Sequence, residues 1–175
     1  MRVRVARFFL AVVVPLMAGC FEAPIAPPQG RELEPALLGT WRCENPESQE
    51  PEEADVSITG PVEGQYKVLW TEQPGTTEEY RAYPVIVSGV ELLSVEEATS
   101  TPGKLSTDRW AVVRLVRAPE NELLVEMPVA RLLRLPDEQA LAELRARPAD
   151  NALWELFARC RRPDADPRSG RITMK

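Results

Sequence analysis

Short apolar runs separated by turn residues fill the middle of the chain, from 37 to about 135, and they limit the fold more than any other feature. In the run 65–70, the side chains of Tyr66, Val68 and Trp70 fall on one face of an extended strand, because successive residues point to opposite faces. Turn residues bound the runs at Gly60-Pro61, Gln73-Pro74-Gly75 and Gly89. Short strands repeated at this spacing favour an antiparallel meander.

The clearest hairpin lies in the second half of this region. The runs 109–116 and 122–127 flank Ala118-Pro119-Glu120-Asn121, whose residues favour a tight turn. With this hairpin added to the earlier runs, we expect about six to eight strands in a single β-rich domain that covers 37–162.

The hydrophobic period changes from two to that of a helix after Pro136. Asp137 can cap a first helix over 137–146. Its apolar side comprises Ala140, Leu141 and Leu144. Pro148 then ends this helix.

A second helix is expected to begin at Asn151, which can cap it. Its apolar side comprises Leu153, Leu156, Phe157 and Cys160, spaced at i, i+3, i+4 and i+7. This spacing turns Cys160 toward the sheet. The predicted fold class is therefore α+β, mainly β, with two short C-terminal helices, and the polar residues 163–175 are expected to form a disordered tail.

The first nineteen residues have the layout of a secretory signal peptide. Arg2, Arg4 and Arg7 precede the uncharged stretch 8–19, which ends in the small pair Ala18-Gly19. That stretch of 12 residues is well short of the ~20 that a helix needs to cross a bilayer. We therefore predict a cleaved signal over 1–19, and a cysteine buried in an N-terminal helix is the alternative interpretation.

The segment Met17-Ala18-Gly19-Cys20 resembles the lipobox of bacterial lipoproteins. The resemblance implies that the chain is cut before Cys20, that its sulfur carries a diacylglyceryl group and that its new amine is acylated. Phe21 after the cysteine is similar to lipoproteins that are sent to the outer membrane. The resemblance thus implies a cell-envelope protein tethered by lipid to the outer membrane and facing the periplasm.

Residues 20–36 follow the proposed cleavage site and are rich in proline. The four prolines are Pro24, Pro27, Pro28 and Pro35. They favour extended conformations, so we predict a semi-rigid spacer between the membrane and the domain.

The two other cysteines are expected to pair. If Cys20 is lipidated, Cys43 and Cys160 remain, and an even pair in an exported protein indicates a disulfide. For a loop on the order of 100 residues, the chain-entropy estimate of its stabilisation is ~4–5 kcal/mol. Two separately buried thiols are the alternative. Neither cysteine lies in a C-x-x-C motif, which argues against a redox function.

Gly39-Thr40-Trp41, near the start of the domain, resembles the G-x-W opening of lipocalin-like barrels, in which the tryptophan packs across one end. The resemblance implies a small barrel that carries an apolar ligand. The residues expected to line such an interior are Trp41, Tyr66, Trp70 and Trp110. Ordinary core packing of these aromatic rings is the alternative.

Composition excludes several other classes of function. The chain has no histidine, which removes the commonest general base and the usual zinc ligand. After removal of the signal, 18 basic residues face 27 acidic ones, and a net charge of −9 does not suit nucleic acid. The acidic run 44–55 has no glycine to shape a calcium loop. No catalytic motif is present, so we predict neither an enzyme nor a cofactor or metal.

Arginines concentrate in the C-terminal part: Arg131, Arg134, Arg145, Arg147, Arg159, Arg161 and Arg162. They are either solvated surface residues or a docking face for an acidic partner or lipid headgroups. Three hypotheses follow, and the third, a hydrolase, is disfavoured by the absence of histidine and of catalytic motifs. The first is a membrane-tethered, non-enzymatic envelope lipoprotein that binds another envelope protein or has a structural task. The alternative is a lipocalin-like carrier of a small apolar ligand.

Overall fold

The computed structural model describes residues 21–46, 53–72, 75–98 and 109–163. The predicted signal peptide, the proposed lipidation at Cys20 and the predicted tail from 164 onward lie outside the described residues.

Eight strands form an antiparallel meander that closes into a ring, which we call the β-ring. The strands are β1 (Gly39–Glu44), β2 (Glu53–Val62), β3 (Gln65–Glu72), β4 (Thr76–Val87), β5 (Val90–Glu97), β6 (Trp110–Ala118), β7 (Glu122–Pro128) and β8 (Trp154–Arg161). Each strand pairs with the next, and β8 pairs with β1. The predicted mainly β class with an antiparallel meander is confirmed.

One α-helix, α1 (Asp137–Ala146), lies between β7 and β8. Ala140, Leu141 and Leu144 are buried on one side of it, as predicted. Asp137 does not cap the helix, because Pro136 occupies the N-cap position without a side-chain hydrogen bond. The Asp137 carboxylate instead accepts a hydrogen bond from the backbone N–H of Glu22, at 2.7 Å.

The second predicted helix is wrong, since its residues form β8. Only a single 3₁₀ turn, Asn151–Leu153, precedes the strand, and the Asp150 carboxylate caps that turn through the N–H of Ala152. Over eight residues, a helical spacing of apolar side chains is compatible with a strand that is apolar on both faces. In the strand, β8 pairs with β7 on one side and β1 on the other, so its backbone N–H and C=O groups have hydrogen-bond partners. This pairing favours the strand over the helix.

The two ends of the β-ring differ. At one end, here called the mouth, β1, β3, β5 and β7 finish and the even-numbered strands begin. At the opposite end, the base, a 3₁₀ turn over Pro35–Leu37 leads into β1, and the chain leaves β8 toward Arg162.

Two hydrophobic clusters lie on opposite faces of the sheet. The interior cluster lies inside the β-ring and comprises Leu33, Leu37, Trp41, Cys43, Val56, Ile58, Tyr66, Leu93, Leu123, Ala158 and Cys160. The outer cluster lies between α1 and the outside of β4, β5 and β6, and it comprises Phe21, Ile25, Tyr83, Val85, Val87, Leu92, Val112, Leu132, Ala140, Leu141, Leu144, Leu153 and Trp154. Strands β4 to β6 are therefore apolar on both faces.

Residues 21–37, which we call the strap, run along the outside of the β-ring. Phe21 and Ile25 are buried in the outer cluster, and Leu33 is buried at the base in the interior cluster. The strap therefore spans from one cluster to the other. The two ends of the proline-rich segment therefore pack against the domain, whereas residues 27–32 between them are exposed.

Candidate functional site: the interior of the ring

The base of the β-ring is closed by Trp41 and Arg162. The guanidinium of Arg162 lies over the Trp41 ring, 3.9 Å from its centroid. The same guanidinium donates hydrogen bonds to the carbonyls of Leu38, at 2.8 Å, and Thr40, at 3.1 Å. Leu38 follows the 3₁₀ turn and Thr40 lies in β1, so these bonds tie the start of the β-ring to the chain after β8.

Trp41 also contributes from inside the β-ring, together with one further side chain, that of Tyr66. The Trp41 indole N–H donates to the Leu37 carbonyl at 2.9 Å, and the Tyr66 hydroxyl accepts from the Leu33 N–H at 2.9 Å. Leu33 and Leu37 themselves are buried against the interior cluster. The Trp41 indole N–H and the Tyr66 hydroxyl thus both have hydrogen-bond partners within the chain. The remaining surface of these two side chains is apolar.

Exposure of the interior side chains increases from base to mouth along three strands. On β3, Tyr66 is 1% exposed, whereas Val68 and Trp70 nearer the mouth are partly exposed. Leu93 on β5 and Leu123 on β7 are buried. The residues two positions further toward the mouth, Val95 and Val125, are partly exposed. On these three strands, the interior residues nearer the base are thus more deeply buried than those nearer the mouth.

Val113, Leu115 and Phe157 add further partly exposed apolar side chains to this wall. The Phe157 ring contacts that of Trp70, with 5.7 Å between their centroids. Strands β8 and β3 are separated by β1 and β2, so this contact crosses the interior. On the β2 side the interior residues Ala54, Val56 and Ile58 stay buried. The partly exposed interior side chains thus lie on β3 and on β5 to β8.

Polar groups on this face of the sheet lie near the mouth. Glu78 is opposite Trp70 in the β3–β4 ladder, and Tyr80 is opposite Val68. The Tyr80 hydroxyl donates a hydrogen bond to the Glu78 carboxylate. Near the mouth, the wall thus carries hydrogen-bonding side chains beside the apolar residues of β3.

The structure brings together three of the four predicted lining residues. Trp41, Tyr66 and Trp70 belong to the interior of the β-ring. Trp110 does not, because it lies on the other face, packs against the outer cluster and contacts the Tyr83 ring edge-on at 5.7 Å. The apolar runs around it are buried on both faces, and alternation alone cannot tell an inner from an outer face in such strands.

Sequence reasoning missed Phe157 and Arg162. Phe157 was assigned to a helix, and no signal in its immediate neighbours separates the two structures. Arg162 was grouped with six other arginines. Two features of the sequence could have identified Arg162. It follows the last apolar run of the domain, and the first run carries Trp41, an aromatic ring on which a guanidinium can stack.

The predicted Cys43–Cys160 disulfide is confirmed. The two cysteines are direct partners in the β1–β8 ladder, with their Cα atoms 4.0 Å apart. That ladder has three residue pairs, and the disulfide is at the middle one. The cross-link therefore joins the strands that close the β-ring.

Most of the C-terminal arginines have partners in the chain. Arg147 pairs with Glu143 and Asp150, and Arg161 pairs with Glu122 at 2.6 Å. Arg145 donates to the Ile25 carbonyl at 2.7 Å, which holds the strap against α1. These contacts favour structural roles for the arginines over an acidic docking site.

Among the described residues, no group of three histidine, cysteine, aspartate or glutamate side chains could hold a metal ion. Within the same ranges, no helix has the length and apolar character needed to cross a membrane.

No protein-family model matches the chain, and no match was found among curated proteins or solved structures.

Proposed function

We propose that the β-ring is a non-enzymatic binding module that holds a small apolar molecule in its interior. The observation that carries this proposal is the gradient of exposure along β3, β5 and β7, from buried residues at the base to partly exposed apolar residues toward the mouth. Apolar side chains on the concave side of a sheet that solvent reaches are typical of a ligand site.

The chemistry of the wall defines the class of ligand. Its accessible part consists of Val68, Trp70, Val95, Val113, Leu115, Val125 and Phe157. The hydroxyl of Tyr66 and the indole N–H of Trp41 already have partners, so they offer little to a polar ligand. The apolar part of the ligand therefore lies deep, and any polar part lies near Glu78 and Tyr80.

We further propose that this module is a lipoprotein of the cell envelope, anchored through Cys20 and facing the periplasm from the outer membrane. The lipobox-like segment and the basic, uncharged and small-residue layout before it support this proposal. The Cys43–Cys160 disulfide also supports it, because such bonds form and persist in oxidising compartments.

Native mass spectrometry of the protein extracted from membranes, followed by a denaturing spectrum, tests both parts. A mass excess that survives denaturation and maps to Cys20 is the expected sign of acylation. An additional excess lost on denaturation is the expected sign of a ligand.

A matched pair of variants tests the location of the ligand. Val68 and Leu69 are adjacent on β3, both are partly exposed, and they point to opposite faces of the sheet. Val68→Phe fills the interior and is expected to weaken binding of the apolar dye N-phenyl-1-naphthylamine about tenfold, which corresponds to ~1.4 kcal/mol. Leu69→Phe is expected to leave dye binding unchanged. Equal effects of the two substitutions would place the dye outside the β-ring and contradict the proposal.

A further inference from the structure

The strap begins at the mouth of the β-ring. The Phe21 N–H donates to the Trp110 carbonyl at 2.6 Å, and the Trp110 N–H donates to the Phe21 carbonyl at 2.7 Å. Trp110 is the first residue of β6, so this two-bond bridge lies at the mouth end. The Phe21 side chain is 2% exposed, which fixes its position against the outer cluster.

Further contacts hold the next residues of the strap. Asp137 of α1 accepts from the Glu22 N–H at 2.7 Å, and Arg145 of α1 donates to the Ile25 carbonyl at 2.7 Å. On the sheet side, the Tyr83 hydroxyl donates to the Ala26 carbonyl at 3.0 Å. Hydrogen bonds from both α1 and β4 therefore fix the start of the strap and leave its backbone little freedom to move.

Cys20 is covalently joined to Phe21, and consecutive Cα atoms are only about 3.8 Å apart. The geometry points to an orientation: with acyl chains on Cys20, the mouth of the β-ring is its membrane-proximal end and the base is its distal end. This inference rests on the proposed lipidation of Cys20. It deepens the proposed function, because the opening through which an apolar ligand enters then lies next to the lipid headgroups.

Negative charge at the mouth disfavours a mouth that faces an anionic membrane, but it does not reverse the proposed orientation. Glu44, Glu53 and Glu72 are exposed at the mouth, so an anionic lipid surface repels this end. The repulsion is screened over about 8 Å at physiological ionic strength. The lipid anchor is a stronger constraint, because Cys20 is joined to Phe21 by one peptide bond. We therefore expect anionic lipid to increase the gap between rim and headgroups but not to reverse the two ends.

Two labelling positions beside the opposite ends of β3 test the orientation. Thr76 of β4 lies at the mouth opposite Glu72, Val62 of β2 lies at the base opposite Gln65, and both are exposed. Because their β3 partners are separated by the length of this strand of 8 residues, at ~3.3 Å per residue, the two positions are about 23 Å apart along the strand direction. Lipidated Thr76→Cys and Val62→Cys proteins, each labelled with a thiol-reactive fluorophore, are bound to phosphatidylcholine vesicles that carry a headgroup nitroxide. We expect quenching at position 76 to be several-fold stronger than at position 62.

A linker variant supplies the control. Ten Gly/Ser residues inserted between Cys20 and Phe21 add a flexible segment whose mean span is roughly 17 Å. The inserted chain leaves every contact of the strap intact, and the difference in quenching between the two positions is expected to disappear. If the difference persists with the linker, the short link to Phe21 does not set the orientation.

The outcomes of the experiment distinguish a wrong orientation from a wrong proposal of lipidation at Cys20. A protein that floats with vesicles and carries the acyl mass, but is quenched equally at both positions or more strongly at position 62, overturns the orientation and leaves the lipoprotein proposal standing. A protein without the acyl mass that does not float overturns both.

Discussion

The outer cluster and the interior cluster contain the same kinds of residue, yet they differ in how they are covered. The outer cluster is covered on one side by the sheet and on the other by α1 and the strap, and it has thirteen buried residues with five partly exposed ones packed against them. The interior cluster is enclosed by the sheet and by the closure at the base, and it has eleven buried residues with eight partly exposed ones.

This difference in burial means that the two clusters contribute differently to the stability of the fold. Complete burial removes the most apolar surface from water, so the outer cluster contributes stability. Partly exposed interior residues such as Val95 and Val125 bury less apolar surface and so contribute less. If the proposed function holds, residues that contact the ligand can therefore vary with a smaller effect on folding than residues beneath α1.

The largest expected effect comes from opening the closure of the interior. In the double variant Cys43→Ser with Cys160→Ser, the cross-link over a sequence separation of 117 is lost. We expect the free energy of unfolding to fall by about 4 kcal/mol, because the unfolded chain gains the freedom that the bond removed. Urea denaturation followed by far-ultraviolet circular dichroism measures the change, and a loss below about 1 kcal/mol would contradict the prediction.

Next in size is a direct comparison of the two clusters. Leu144→Ala empties a fully buried position under the strap, and we expect a loss of about 3 kcal/mol. Val95→Ala removes two methyl groups from a partly exposed interior position, and we expect a loss of about 1 kcal/mol. Dye binding should respond in the opposite order. Equal losses of stability from the two variants would show that the interior is as closely packed as the outer cluster.

A smaller effect is expected at the base. Arg162→Lys keeps the charge but loses the planar group that stacks on Trp41 and donates to several carbonyls, and we expect a loss of about 1–2 kcal/mol. The matched control is Arg161→Lys, whose exposed pair with Glu122 predicts a change below about 1 kcal/mol. Chemical denaturation of both variants gives the comparison, and similar values would remove Arg162 from the closure.

The smallest effect concerns pH. Burial in the outer cluster raises the pKa of the Tyr83 phenol above 10.0, and the Glu96 carboxylate acts in the same direction. Because the folded state holds the phenolic proton more tightly than the unfolded state, this contribution is complete below pH 10 and is lost as pH rises further. The free energy of unfolding should therefore fall more steeply above pH 10 in the wild type than in Tyr83→Phe. Parallel pH profiles would contradict this assignment.

Local pattern was sufficient for the first seven strands but not for β8. Alternation at Tyr66, Val68 and Trp70 predicts β3 and places all three on one face, because side chains in a strand have a period of two. The disulfide follows from counting cysteines rather than from geometry. The helix that was expected to carry Cys160 is a strand, and its cysteine still meets Cys43.

Relations between distant segments were beyond local pattern. Trp110 was assigned to the interior because β6 is apolar on both faces, and only the position of α1 and the strap defines which face is outside. The proline content of the strap predicts an extended chain, and an extended chain can equally be a spacer or lie in a groove. Phe21, Ile25 and Leu33 are apolar residues within that segment, and their burial could have been weighed against the prolines.

The seam between β1 and β8 also bears on how separate copies of the chain behave toward one another. If the three-pair ladder separated, each strand would present a row of unpaired N–H and C=O groups, and such rows readily pair with other chains. The bond between Cys43 and Cys160 lies in the middle of that ladder and keeps the two strands together. The disulfide therefore protects the protein against aggregation and strand exchange, in addition to its effect on the stability of a single molecule.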